Sequence, residues 1–197
     1  MKTFMWVIMT AVIANNVVLA RYMGLCPFMG TTKKLNTAAG MSACTAAVMV
    51  LSTAVTWPLY YRVLVPRNML YMQTVIFMLV IGSLVQLLET ALKKLAPALC
   101  EGLGIYLPLI TANCAMLGLC TMSIDEGWTY GQSLLYSAGA GIGFFLAMLM
   151  FAGIRERIEY NDFPESFKGM AGTFIAAAIL SLAFMGFSGI VEGFFGM

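Results

Sequence analysis

The chain has 197 residues, 61% of them apolar and only 10% charged, with a formal net charge of +2. So few charges cannot cover the surface of a water-soluble domain, which excludes a soluble enzyme and points to an integral membrane protein. No basic cluster is interleaved with aromatics, so no nucleic-acid partner is indicated.

The apolar runs are each about 20 residues long, the length a helix needs to cross the bilayer; barrel strands would be about 10 residues with strict alternation. The expected fold is all-α, with six spans. Span one runs from about Thr3 to Gly30, continues through Asn15 and Asn16 without a convincing signal-cleavage site, and closes at Lys33 and Lys34. Span two is expected over Thr37 to Leu59, followed by a loop with Tyr60, Tyr61, Arg62, Pro66, Arg67 and Asn68. Span three covers about Met69 to Leu92 and ends at Lys93 and Lys94. Span four runs from about Ala98 to Met122, and the acidic loop Asp125, Glu126, Gly127, Trp128 leads into span five, Gly131 to Ile154. The most polar loop, from Arg155 to Lys168, precedes span six at about Met170 to Val191. Short loops leave no room for a soluble catalytic domain, so residues 1–197 read as one polytopic membrane domain.

The loops after spans one, three and five carry Lys33, Lys34, Lys93, Lys94, Arg155, Arg157 and Lys168, against Lys2, Arg62 and Arg67 on the other side. By the positive-inside rule the first set is cytoplasmic, and both termini face outward.

Spans one and four share one peculiarity. GLCPFMG at residues 24–30 places Gly24, Pro27 and Gly30 around Cys26, and LPLITANCAMLG at residues 107–118 places Pro108 and Gly118 around Cys114. Both contain Cys-x-x-x-Gly. The two matched spans are separated by an odd number of crossings, so the halves, about 1–95 and 96–197, run through the membrane in opposite senses, as inverted repeats do. Were the chain helical throughout, Cys26 would lie roughly 10 Å from the cytoplasmic lysines and Cys114 roughly 12 Å from the outer loop. The thiols can share one depth only if the spans unwind, which Gly24, Pro27, Pro108 and Gly118 permit.

Five cysteines (26, 44, 100, 114 and 120) with no histidine exclude mixed Cys/His zinc sites, and the odd, scattered set does not form an extracellular disulfide framework. Cys44, Cys100 and Cys120 read as small packing residues. Cys26 and Cys114 have the same bland reading, set against a metal reading that rests on their matched positions at helix breaks, where free backbone amides can reach sulfur. A cluster wants about four thiolates, so two would come from a paralogous partner; a tetrathiolate single iron has the same ligand count. Asn15, Asn16, Thr111 and Asn113 lie near the breaks, as helix-to-helix hydrogen-bonding groups or as lining of an ion path. Arg21 is the costliest residue to bury, and the small faces Gly139, Gly141, Gly143 and Ala38, Ala39, Gly40 suit close helix contact.

NNVVLARYMGLCPFMGTTKK (15–34), GIYLPLITANCAMLGL (104–119), AGIRERIEYNDFP (152–164) and LAFMGFSGI (182–190) resemble the RnfA family of the Rnf complex, the ion-translocating ferredoxin:NAD oxidoreductase. The resemblance covers essentially the whole chain. It implies a subunit of a translocase in a bacterial or archaeal cytoplasmic membrane. It further implies a 2Fe-2S cluster shared with an oppositely oriented, RnfE-like paralogous subunit, with Cys26 and Cys114 as this chain's ligands. Gly24, Pro27, Gly30, Asn113 and Gly118 would surround it. Flavin, further iron-sulfur centres and NAD would belong to other subunits, since no nucleotide-binding fingerprint is present. The NqrE subunits of the sodium-pumping NADH:quinone oxidoreductase carry the same cysteine pair, but Asn15-Asn16 and Cys26-Pro27-Phe28-Met29-Gly30 look nearer to the Rnf form. From another class, a secondary transporter with a midplane site also uses inverted, broken helices. A scaffold with merely packed cysteines is the third reading.

Overall fold

The computed structural model describes residues 18–19, 21–32, 35–67, 69–95, 113–159 and 169–195. Asn15, Asn16, Lys33, Lys34, Cys100, Pro108, Thr111 and the loop 160–168 lie outside the described residues. The helices are α1 (Leu25–Thr31), α2 (Leu35–Leu59), α3 (Gln73–Leu95), α4 (Cys114–Asp125), α5 (Tyr130–Glu159) and α6 (Met170–Phe195). Thr37–Leu64, Gln73–Thr90 and Tyr130–Ile158 are long and apolar enough to cross a membrane, matching expected spans two, three and five. α4 and part of α6 supply shorter apolar helices. The protein is therefore an all-α membrane protein.

α2 ends at Leu59 as expected, but the helical path continues beyond it. Pro58 lies inside it and has no N–H to donate, and the chain responds by widening into a π-turn over Tyr60–Leu64, closed by Val65 N–H to Tyr60 C=O at 3.1 Å. The residues expected to form a loop thus stay helical as far as Leu64. Trp57 sits just before the proline and donates its indole N–H to the Trp128 carbonyl at 3.0 Å. Tyr61, tilted, and Tyr130, edge-on, pack against Trp57 with ring centroids at 4.5 and 5.3 Å, an aromatic cluster suited to a membrane interface.

α2 and α5 form the most extensive helix pair and run antiparallel. Thr53 bonds Ser137 at 3.1 Å near the aromatic end, and Gly141 meets Ala46 further along. Arg155 reaches Thr32 at the other end. Between apolar helices in lipid, association rests on close van der Waals packing, which small residues permit. A Cβ on Gly141 would lie 3.1 Å from the Ala46 Cβ, so the small-residue face read from the sequence serves contact within this subunit. Phe77, Phe144, Phe151, Met41, Met49, Met116 and Met148 fill the core, methionine packing included. The α2 hydroxyls of Ser42, Thr45, Thr53 and Thr56 turn back to carbonyls one turn earlier, at 2.7 to 3.0 Å, so none of these four stands bare among apolar neighbours.

Candidate metal centre

Over residues 21–24 the chain is not helical. Tyr22 takes a left-handed conformation, φ 55°, which costs a residue with a Cβ about 1–2 kcal/mol. It is held by a residue far away in sequence: the Ser181 hydroxyl of α6 donates to the Leu19 carbonyl at 2.6 Å, and the Tyr22 hydroxyl bonds the same serine oxygen at 2.9 Å. Gly24 then caps α1 with φ 86° and ψ 21°. Glycine is needed twice over here. Its backbone is left-handed, and a Cβ would lie 3.0 Å from the Ala115 Cβ, 3.2 Å from the Phe144 ring and 3.3 Å from Asn113 Oδ1.

α1 begins with Leu25, Cys26 and Pro27, so the proline occupies the first turn, where a missing N–H costs nothing. At its far end Arg155 Nη1 donates to the Met29 carbonyl at 2.7 Å and to the buried Thr32 hydroxyl at 2.9 Å. That cation satisfies carbonyl charge where the helix has no further N–H to offer.

α4 starts at Cys114. Asn113, extended at φ −76° and ψ 113°, caps it by accepting the Ala115 N–H on Oδ1 at 3.0 Å. The two starts meet: the Gly24 N–H donates to Cys114 Sγ at 2.9 Å. Gly24 and Cys26 are two residues apart, so Cys26 lies within roughly 10 Å of that sulfur at full chain extension. Phe144, against Gly24, stands midway along the 30-residue α5, itself about 45 Å long. The thiol pair therefore sits near the middle of the bundle's height. From there α1 leads to the Arg155 end and α4 to the Trp128 end.

The unwinding differs in place from the expectation. Pro27, Gly30 and Gly118 all lie inside helices, so the non-helical residues described are 21–24 before Cys26 and Asn113 before Cys114. Gly118 serves a different purpose: Met23, on the unwound stretch, packs where a Cβ on Gly118 would stand. The side-chain oxygen of Asn113 serves as a local helix cap. Arg21 is exposed.

Cys26 and Cys114 are exposed free thiols, whereas Cys44 is half-buried and Cys120 is buried beside the hydroxyls of Thr53 and Thr56. Exposure thus separates the matched pair from these two packing cysteines. Sulfur at the bundle surface, near mid-height and already accepting an amide N–H, fits the ligand of an iron-sulfur centre, whose sulfurs are tuned by such bonds. The pair offers two of about four thiolates, and among the described residues no group of three or more candidate ligands occurs. The Asn113 Nδ2 is buried with no partner, an arrangement that costs about 1–3 kcal/mol for an amide donor. The donor set and this bare N–H both suit an anionic group completed from outside the chain.

Ser181, which holds the unwound stretch, and Arg155, which holds the far end of α1, are residues whose part in the site the sequence does not reveal. Arg155 reads there as an orienting charge and as a member of the 152–164 motif, and Ser181 adjoins the 182–190 motif without belonging to it.

A family model for Rnf-Nqr subunits, described as membrane proteins, matches residues 4–191. The chain belongs to the Rnf-Nqr subunit family. Its relatives within that family include the A subunit of the ion-translocating oxidoreductase complex of Syntrophotalea carbinolica, 47% identical over 98% of this chain and 100% of the relative. The protein of the same name from Cronobacter sakazakii is 46% identical over 98% and 100%. The A subunit of the Na(+)-translocating ferredoxin:NAD(+) oxidoreductase complex of Acetobacterium woodii is 41% identical over 97% and 100%. The unwound stretch at 21–24, the Asn113–Cys114 cap and the Arg155 clamp all fall within the Rnf-Nqr match.

Proposed function

We propose that this chain is the RnfA-type subunit of an ion-translocating oxidoreductase complex, carrying electrons through an iron-sulfur cluster inside the membrane and linking ferredoxin:NAD electron transfer to Na⁺ or H⁺ movement. Cys26 and Cys114 are its ligands, and an oppositely oriented paralogous subunit supplies the other two. When bound, a 2Fe-2S cluster supplies one-electron transfer at a depth that water does not reach. The Gly24 N–H to Cys114 Sγ bond, joining the starts of the two cysteine-bearing helices near mid-height, carries this reading. The relatives' names support the complex.

The chain's own residues have separable tasks in this scheme. Gly24 brings an amide to sulfur and lets α1, α4 and α5 approach; Asn113 fixes the first turn of α4; Ser181 holds the unwound stretch and Arg155 the far end of α1. The two halves are inverted repeats, both termini lie outside, and flavin, NAD and further clusters belong to other subunits. The test is iron content and low-temperature EPR of the purified complex carrying Cys26→Ser or Cys114→Ser. Loss of one iron-sulfur signal with the complex still assembled is expected; unchanged iron and unchanged signal overturn the assignment.

One observation favours a second reading. Helix starts meeting near mid-height, with chain leading away to opposite ends, is also the layout of substrate sites in secondary transporters. That reading requires a colourless, stand-alone protein that takes up solute without a redox donor, and a visible spectrum of the purified complex separates the two.

A further inference from the structure

Asn113 is 3% exposed, and the two ends of its carboxamide have different fates. Oδ1 accepts the Ala115 N–H, which fixes the orientation: the oxygen faces the helix, so the amino group faces away from it. That amino group has no hydrogen-bond partner among the described residues. Capping alone does not call for it. Serine, threonine or aspartate caps a helix about as well, with an acceptor and no NH2 to leave bare. The orphaned donor is therefore a feature of this position beyond the cap.

Its surroundings place it next to the cysteine pair. A Cβ on Gly24 would lie 3.3 Å from Asn113 Oδ1, and the Gly24 N–H is bonded to the sulfur of Cys114, the next residue after Asn113. The carboxamide thus lies beside the Gly24 amide that is bonded to the thiol, while its own amino group meets no acceptor among the described residues. The other unpartnered buried groups, the hydroxyls of Ser52 and Ser133, can each rotate toward a carbonyl of their own helix, and neither adjoins a cysteine of the pair.

We propose that Asn113 Nδ2 donates a hydrogen bond to the sulfur-rich anionic centre held at Cys26 and Cys114, and so raises its reduction potential. This rests on the cluster reading above. An N–H aimed at such a centre stabilises the form with the extra electron more than the form without it, so the donor makes reduction easier. Asn113 is not a ligand; it acts on the ligated group.

The experiment is an EPR-monitored redox titration of the assembled complex with Asn113→Ser, which keeps a capping oxygen, adds no charge and removes the donor. The expected result is unchanged iron content with about a tenfold fall in the reduced-to-oxidised ratio at the parent's midpoint, about 59 mV for a one-electron couple. An unshifted midpoint overturns the proposal. Asn113→Asp is the second variant: it keeps the shape and the cap, replaces the donor by a charged acceptor, and is expected to lower the potential further. It decides alone if the serine variant fails to assemble, and an unchanged or raised potential in it is equally fatal. A parent complex without any iron-sulfur signal removes the cluster reading itself, whereas a normal parent signal with unshifted variants removes only the role of Asn113.

Discussion

Between α2 and α5 the helices pack side by side, Gly141 against Ala46, with hydroxyls folded back on their own turns. α1 and α4 instead meet at a point, where one N–H reaches one sulfur, and directional bonds from Ser181, Asn113 and Arg155 add to the packing of α4 in the core. The first pair is held by many weak contacts that tolerate no extra volume. The meeting point of the second depends in addition on a few directional bonds that tolerate no missing donor. One bundle thus contains a rigid frame and a separately tethered centre, and substitutions should affect the two differently.

Gly141→Leu attacks the frame. With a Cβ already 3.1 Å from Ala46, overpacking should cost about 3 kcal/mol and lower the melting temperature of the detergent-solubilised subunit, whatever happens at the cysteines. Arg155→Met attacks the tether and loses two charge-assisted hydrogen bonds, an expected cost of about 2 kcal/mol. Its sharper readout is maleimide labelling of Cys26 in the isolated subunit, which should change while labelling of Cys114 does not. Gly24→Ala adds a left-handed strain of about 1–2 kcal/mol and a 3.0 Å contact with Ala115; it should abolish the EPR signal with only a modest change in melting. Ser181→Ala frees the Leu19 carbonyl and the Tyr22 hydroxyl, worth about 1 kcal/mol, measured as faster hydrogen exchange confined to the chain around these two residues. Smallest of all, Ser52→Ala with Ser133→Ala removes two hydroxyls that have no partners and should leave melting unchanged or slightly raised. Equal sensitivity of melting and EPR signal across the series would erase the distinction between frame and centre.

Much of the frame is legible in the sequence because lipid imposes a simple rule: about 20 apolar residues per crossing, with small residues where helices touch. Hence spans two, three and five match, and Gly141 stands out before any coordinate is known. The interruption at Cys26 is legible because glycine and proline mark it, yet the pattern does not say which residue does what. Pro27 sits harmlessly in a first turn, and Gly118 makes room for Met23 inside a helix. The π-turn after Pro58 escapes the sequence because a proline ordinarily ends a helix, whereas the surrounding contacts here let the ladder widen instead. Ser181 and Arg155 are invisible as site residues for another reason. Each acts on chain more than 120 positions away, and such a bond leaves no local pattern of spacing or periodicity.

The shortness of α1 has a mechanical side. Its seven residues make a stiff rod of about 10 Å, with Cys26 near one tip and the guanidinium of Arg155 gripping the other. A rod so short stores almost no bend. Any axial shift of the gripped tip therefore reaches the thiol nearly undiminished, and the rim of the bundle has a direct lever on an atom at its middle.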